Sequence, residues 1–248
     1  MKTIYILWLR QLKRYFRSKA RMIGSLGQPI LFLVALGFGF GPIFQKAGGG
    51  NYIEFLAPGI IAMSILFTAV FSGIEIIWDR QFGFLKETLV APVSRFKIMI
   101  GRTLGGATVA LMQGIIVLIL ATIIGFRPQS IWMIPLGIVF MFLIALLFTA
   151  LGTAIGSILE DMQGFQLIVN FLIMPLFFLS GALFPFDGLP SALQIVASVD
   201  PLSYGVDGLR ASLIGVGHFG ILLDFIILAG LSLIMLVIGA KLFSKIQI

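Results

Sequence analysis

Residues 55–77 read FLAPGIIAMSILFTAVFSGIEII, and residues 78–97 continue WDRQFGFLKETLVAPVSRFK. The first stretch is 23 residues with Glu75 as its one charge. As a helix it extends roughly 34 Å at 1.5 Å per residue, enough to cross a hydrocarbon core about 30 Å thick. The second stretch alternates apolar and charged residues and cannot continue into lipid. The boundary at 77/78 therefore marks the end of a membrane span. Five further stretches are of the same kind: Met22 to Phe44, Thr103 to Phe126, Ile131 to Leu159, Phe165 to Phe186 and Phe219 to Ala240. Composition agrees, since 59% of the 248 residues are hydrophobic and 11% charged, too few charges to cover a soluble surface. Backbone groups inside a bilayer need partners within the segment, so the expected fold is an all-α polytopic membrane protein. The chain reads as one transmembrane domain over 1–248, without internal repeats or a soluble domain, and the N-terminal stretch is read as retained.

Six spans place both termini on one side. All of the seventeen Lys and Arg residues except Lys46, Arg127 and Arg210 fall on the side of the termini, which the positive-inside rule makes cytoplasmic. The net charge of +7 thus reads as topology rather than as a nucleic-acid surface. With no cysteine and a single histidine, His218, thiol chemistry and the usual metal sites have no residues to use. No phosphate-binding loop, nucleophile elbow or Ser/His/Asp set is present, so intrinsic catalysis is not expected. Uphill transport would need an ion gradient or a separate ATPase.

Three segments outside the spans carry information. In 1–21, Arg10, Lys13, Arg14, Arg17 and Arg21 share about 100° of helical arc, and Ile4, Tyr5, Trp8, Leu12, Tyr15 and Phe16 lie opposite. This predicts an amphipathic helix in the headgroup plane, its cations facing anionic lipid or a cytoplasmic partner, or serving as a topology anchor. In 78–102, Phe82, Leu85 and Leu89 fall at i, i+3, i+7, with Lys86 and Glu87 off that stripe. Pro92 and Ser94 then predict a turn and the start of the next helix. The segment is either a rigid handle for a partner or an ordinary surface loop. In 187–218, turn residues ending at Pro190 and the pair Asp200-Pro201 predict two short helices, Ser191–Ser198 and Pro201–Ile214. Both are too short to span, so they either dip into the outer leaflet as re-entrant helices or lie flat.

Inside the spans, Glu75 and Asp224 each lie within about a turn of an end, where water or a nearby cation is in reach. Pro29 in span one, Pro58-Gly59 in span two, and Asn170, Pro175 and Ser180-Gly181 in span five are candidate hinges, because proline releases a backbone carbonyl. The spacings Gly101-x-x-x-Gly105 and Gly152-x-x-x-Gly156 predict close helix approach within the chain. Thr149, Thr153, Gln163, Gln166, Asn170 and Ser180 are the polar groups of a possible pathway, few for an ion channel or a sugar site.

Two motifs resemble those of ABC-2 type permeases, in particular the branch of daunorubicin-resistance and nodulation-factor exporters. The first is DRQFGFLKETLVAPVSR at 79–95, similar to the family's acidic-basic pair, glycine, acidic residue and Leu-x-x-x-Pro-x-Ser. Here Asp79 and Gln81 stand where the family often has acidic residues on either side of the arginine. The second comprises LSGALFP at 179–185 and DPLSYGVDGLR at 200–210. The resemblance implies a dimer with a second copy or a paralogue, and a cytoplasmic ATP-binding cassette subunit that carries ATP and Mg. It also implies a location in the plasma (inner) membrane of a prokaryote. On that pattern Phe82 to Leu89 is the coupling helix, with Arg80, Phe84, Lys86 and Glu87 in the contact and Arg10, Arg14 and Arg17 beside it. Spans two and five would hinge at Pro58, Gly59, Asn170, Pro175 and Gly181, under outer re-entrant helices marked by Pro190, Asp200, Pro201 and Tyr204. The implied function is export of a lipophilic drug or lipid-linked molecule, with no cofactor or metal on this chain. An ion-coupled secondary transporter using Glu75 or Asp224, and a non-transport membrane assembly factor, remain the alternatives from the residues alone.

Overall fold

The computed structural model describes residues 2–46, 50–90, 92–186 and 190–246, without the side chains of Arg21 and Leu89. Among these residues the structure is all helical. The elements are α1 (Lys2–Arg17), α2 (Lys19–Lys46), α3 (Tyr52–Phe71), α4 (Ile74–Gln81), α5 (Phe84–Val90), α6 (Arg95–Ile124), α7 (Ile134–Ile158), α8 (Met162–Ile168), α9 (Met174–Leu179), α10 (Ser191–Val199), α11 (Pro201–Ile214) and α12 (Ile221–Ser244). Six helical stretches are long and apolar enough to cross a membrane: Met22–Lys46, Tyr52–Gln81, Arg95–Ile124, Ile131–Ile158, Met162–Leu179 and Ile221–Ser244.

The central span is α3, whose residues from Leu56 to Leu66 are buried all round by α2, α6, α7 and α11. Its start is fixed locally: the Asn51 side chain accepts from Ile53 N at 3.1 Å and donates to Glu54 Oε1 at 3.2 Å, satisfying an otherwise orphaned helix-end donor. At Ser72-Gly73 the helix breaks and resumes as α4. Gly73 lies against the backbone of Gly152 on α7, and Gly152 and Gly156 lie against Val70 and Gly73, so that a Cβ at any of the three would overlap a carbonyl oxygen. The second small-residue motif is thus used within the chain. So is the first, since Gly101 and Gly105 on α6 receive Leu7 and Gln11 of α1.

Three features differ from the sequence reading. First, α1 does not lie across the bundle. Leu7 packs at Gly101, Trp8 Nε1 donates to Thr108 Oγ1 at 3.0 Å, and Tyr15 OH donates to Gln113 Oε1 at 2.8 Å. These contacts climb twelve residues of α6, about 18 Å of rise, so α1 is inclined along that span rather than perpendicular to it. Second, the connection expected over 78–102 shrinks, because α4 runs to Gln81 and α6 already begins at Arg95. The charges there are paired between helices, which lets the helices extend. Third, the fifth span ends at Leu179 rather than Phe186. Gly181 takes φ +72°, a left-handed conformation that favours glycine, and residues 181–186 turn back over α3.

Candidate functional site

At the end of the bundle where α1, α4, α5 and α6 meet, a small apolar core forms from Leu7, Ile76, Leu85, Ile98, Met99 and Phe243. Above it runs a charge network centred on α4. Glu75 and Asp79, one helical turn apart, face Arg14 and Arg10, also one turn apart on α1. Arg10 Nη2 lies 3.3 Å from Asp79 Oδ1, and Arg14 Nη1 3.5 Å from Glu75 Oε2. The Arg14 guanidinium also sits 5.5 Å above the Trp78 ring. Asp79 is 4% exposed, and its other oxygen accepts from Arg102 on α6, itself 3% exposed. Arg80 points the other way, donating to Leu159 O at 3.2 Å and Ser157 O at 3.1 Å, the orphaned carbonyls at the end of α7. Arg95 does the same for α12, donating to Ser244 O at 2.7 Å and Ile246 O at 2.8 Å. One short helix is thereby linked to α1, α6 and α7 by charge-assisted bonds.

The expected contact residues separate into two groups. Arg10 and Arg14, expected to face a partner, turn onto α4; Arg17 stays exposed. Leu85 is 2% exposed and fills the small core, whereas Phe82 is 72% and Phe84 51% exposed, beside exposed Lys86 and Glu87. The predicted stripe of Phe82, Leu85 and Leu89 fails because α5 starts only at Phe84. Gly83, at φ +80°, makes the turn and takes Phe82 off the helix. The Leu89 side chain lies outside the described residues. Sequence reading missed Arg102, which it left at the edge of a loop; its signal was a cation at a span boundary, two turns past the start of α6 at Arg95.

The hinge candidates are spread along the bundle. The helix α3 passes through Pro58 unbroken, and Gly59 lies against the Ala182 carbonyl so closely that a Cβ would overlap it. Residues Val169–Ile173 form a π turn, with Asn170 accepting from Gln166 Nε2 at 3.2 Å, just ahead of Pro175 in the first turn of α9. Pro175 has no N–H to continue the ladder, and a π turn is a common result of such a gap. The Gly181 carbonyl accepts from Arg210 Nη2 at 3.0 Å, while the guanidinium lies 4.0 Å above the Phe55 ring.

Around that arginine, Pro190 precedes α10, and Asp200 caps α11 by accepting from Leu202 N at 2.8 Å, with Pro201 at the first helical position. Burial pushes the Asp200 carboxyl up to about 7, against the pull of the Leu202 N–H. Tyr204 OH donates to Ser198 O at 2.6 Å and joins the two short helices. Asp207 accepts from the backbone N–H groups of His218 and Phe219 at 2.8–2.9 Å. Asp224, expected to reach water or a cation, is instead fully buried with its carboxyl beside that of Asp207.

The sequence profile of the ABC-2 type transporter family matches residues 2–214, most of the chain and both motif regions. The chain belongs to the ABC-2 type transporter family. Among relatives of this ABC-2 chain, Nodulation protein J of Rhizobium leguminosarum bv. viciae is 29% identical over 231 residues, 90% of this chain and 86% of that protein. The transport permease ycf38 of Porphyra purpurea is 31% identical over 216 residues, 85% and 73% of the two chains. That of Cyanophora paradoxa is 29% identical over 217 residues, with the same coverage. The protein is therefore a multi-pass membrane transport permease, the membrane component of a transporter rather than a catalyst.

Proposed function

We propose that this permease is the membrane subunit of an ATP-driven exporter. It pairs with a second copy or a paralogue, and each subunit docks on a separate cytoplasmic ATP-binding cassette subunit that holds ATP and Mg. Both termini face the cytoplasm, and the complex moves a lipophilic drug or lipid-linked molecule out across the plasma (inner) membrane of a prokaryote. The observation that carries this reading is the split face of α5. Leu85 anchors the helix to the bundle, while Phe82, Phe84, Lys86 and Glu87 face outward as an apolar and charged handle. Force on that handle passes to α4, and through Asp79, Glu75 and Arg80 to α1, α6 and α7. Lys13 and Arg17 are exposed on α1. The π turn at Val169–Ile173 and the contact of Gly59 with Ala182 are where the outer half yields under α10 and α11.

The test is co-purification with candidate ATP-binding cassette ATPases, followed by the hydrolysis rate of any that binds in lipid nanodiscs. Phe84→Asp should cut substrate-stimulated hydrolysis at least tenfold without lowering the permease's melting temperature. Unchanged stimulation in Phe84→Asp and Phe82→Asp together would remove α5 as the handle. Leu85→Asp is no test, because it breaks the small core first.

A further inference from the structure

At the end of the bundle opposite the α4 network, where α3 begins and α11 ends, there is a cavity of about 390 Å³. Asn51, Glu54 and Phe55 line it from the start of α3, and Arg210, Ile214 and His218 from the end of α11 and the loop after it. Arg210 is 5% exposed. Its Nη2 donates to the Gly181 carbonyl and its Nε is closed off, whereas Nη1 is neither closed off nor given an acceptor by the described residues. Nη1 is thus the nitrogen left to meet the cavity that the residue lines. Among the described residues no carboxylate lies within salt-bridge distance of this guanidinium. Asp207, the acid whose field acts on it, has both oxygens on the backbone N–H groups of His218 and Phe219. Glu54 is half-buried, accepts from Asn51 Nδ2 at 3.2 Å, and also has no cation within salt-bridge distance among the described residues. One cavity therefore carries two opposite charges that are matched neither by each other nor by the residues around them.

The geometry points to a binding site for a phosphoethanolamine group, its phosphate on Arg210 and its primary ammonium on Glu54. A simple anion would meet Arg210 but be repelled by Glu54, and a simple cation the reverse; a zwitterion matches both. A buried guanidinium without a counter-charge is costly, and a phosphate oxygen on Nη1 relieves that with a charge-assisted bond. The ammonium, with three donors, suits the Glu54 carboxylate. Position favours phosphate over carboxylate as the anion. The span through α3 starts at Tyr52, so residues 50–55 lie at the depth of the lipid headgroups, where phosphate is the prevailing anion. The volume falls in the range of small-ligand sites, and Phe55 and Ile214 offer apolar wall to the rest of the molecule. The group belongs either to a phospholipid or to the free compound, and in both cases it bridges α3 and α11. Nothing in this depends on the exporter reading, since the site is one of binding and not of cargo.

The experiment is native mass spectrometry of the full chain, with no ATPase and no ATP, released from an uncharged detergent after equilibration with phosphatidylethanolamine or phosphatidylglycerol. The second lipid keeps the phosphate and lacks the ammonium. Retention should favour phosphatidylethanolamine by at least about tenfold, the equivalent of about 1.4 kcal/mol. Glu54→Gln keeps an acceptor for Asn51 and should reduce that preference to about twofold or less. Arg210→Gln should lower retention of both lipids by at least about tenfold. Because Arg210 also holds the Gly181 turn, the melting temperature of that variant is measured first, and Glu54→Gln decides the matter if Arg210→Gln is unfolded. Arg127→Gln, an exposed cation outside the cavity lining, should change neither. Displacement of the lipid by soluble phosphoethanolamine identifies the group alone as the ligand, and a lipid that stays identifies the phospholipid. Equal retention of the two lipids by the wild type, or a preference that survives Glu54→Gln, would overturn the site. Displacement by glycine as effective as that by phosphoethanolamine would overturn the phosphate. Failure of the docking experiment above leaves this result standing, and the reverse also holds.

Discussion

Removal of the Asp79 carboxylate is the sharpest test of the charge network. In Asp79→Ala, Arg102 loses the carboxylate to which it donates, and its Nε and Nη1 are already without hydrogen-bond partners among the described residues. With 3% of the residue exposed, water cannot replace what is lost. Stranding one member of a buried pair costs about 3–5 kcal/mol. The Arg10 pairing adds at most about 1 kcal/mol, since that side chain is 42% exposed and screened. For a chain of this size each kcal/mol moves the melting temperature by roughly 2–4 °C, so a fall of about 6–20 °C is expected. The double variant Asp79→Leu/Arg102→Met removes both charges and keeps the apolar volume, and it should recover to within about 2 kcal/mol of the parent. Both are read from thermal unfolding in detergent by tryptophan fluorescence, to which Trp78, next to Asp79, contributes. A fall below about 2 °C in the single variant would show that Arg102 is not held by Asp79. A double variant as unstable as the single would show that the site fails for lack of space, not for lack of a counter-charge.

Gly59→Ala places a methyl group into the Ala182 carbonyl and should cost at least about 1–3 kcal/mol in the same assay, whereas Gly27→Ala on α2, where a Cβ meets nothing within 4 Å, should be neutral or slightly stabilising. Asp200→Asn keeps the cap of α11 and removes the charge. With the Asp200 carboxyl raised to about 7 in the fold from 3.8, its ionisation opposes folding, and the wild type loses stability as pH climbs from about 4 to about 7 and levels off above that. The advantage of Asp200→Asn over wild type should therefore grow by about 2 kcal/mol between pH 5 and pH 8; an advantage that is flat or shrinks would mean that Asp200 is not desolvated.

How much of this was legible in the sequence can be followed residue by residue. The spans were, since a run such as 55–77 leaves a bilayer no other structure to accept. So were the short helices flanking Asp200-Pro201 and the close approach at Gly152 and Gly156, each fixed by local chemistry or by the absence of a side chain. The partners of Arg10 and Arg14 were not. Their one-turn spacing marked a face, and only the inclination of α1 along α6 turned that face onto Glu75 and Asp79. Leu85 and Phe82 looked equivalent until Gly83 set where α5 begins. Asp224 looked close to water until α11 covered it.

The sequence by itself determined the helices, their number and the lopsided distribution of cations, because helix formation in lipid and the placement of charge depend on local composition. The tertiary structure alone decided which faces meet, and with them the α4 network, the inward turn of Leu85 and the cavity that gathers Glu54 and Arg210 from two helices. In water an apolar stripe points to the core. In a bilayer lipid and protein interior are equally apolar, so hydrophobic pattern does not tell one face from the other, and the choice falls to packing between small residues and to buried polar pairs.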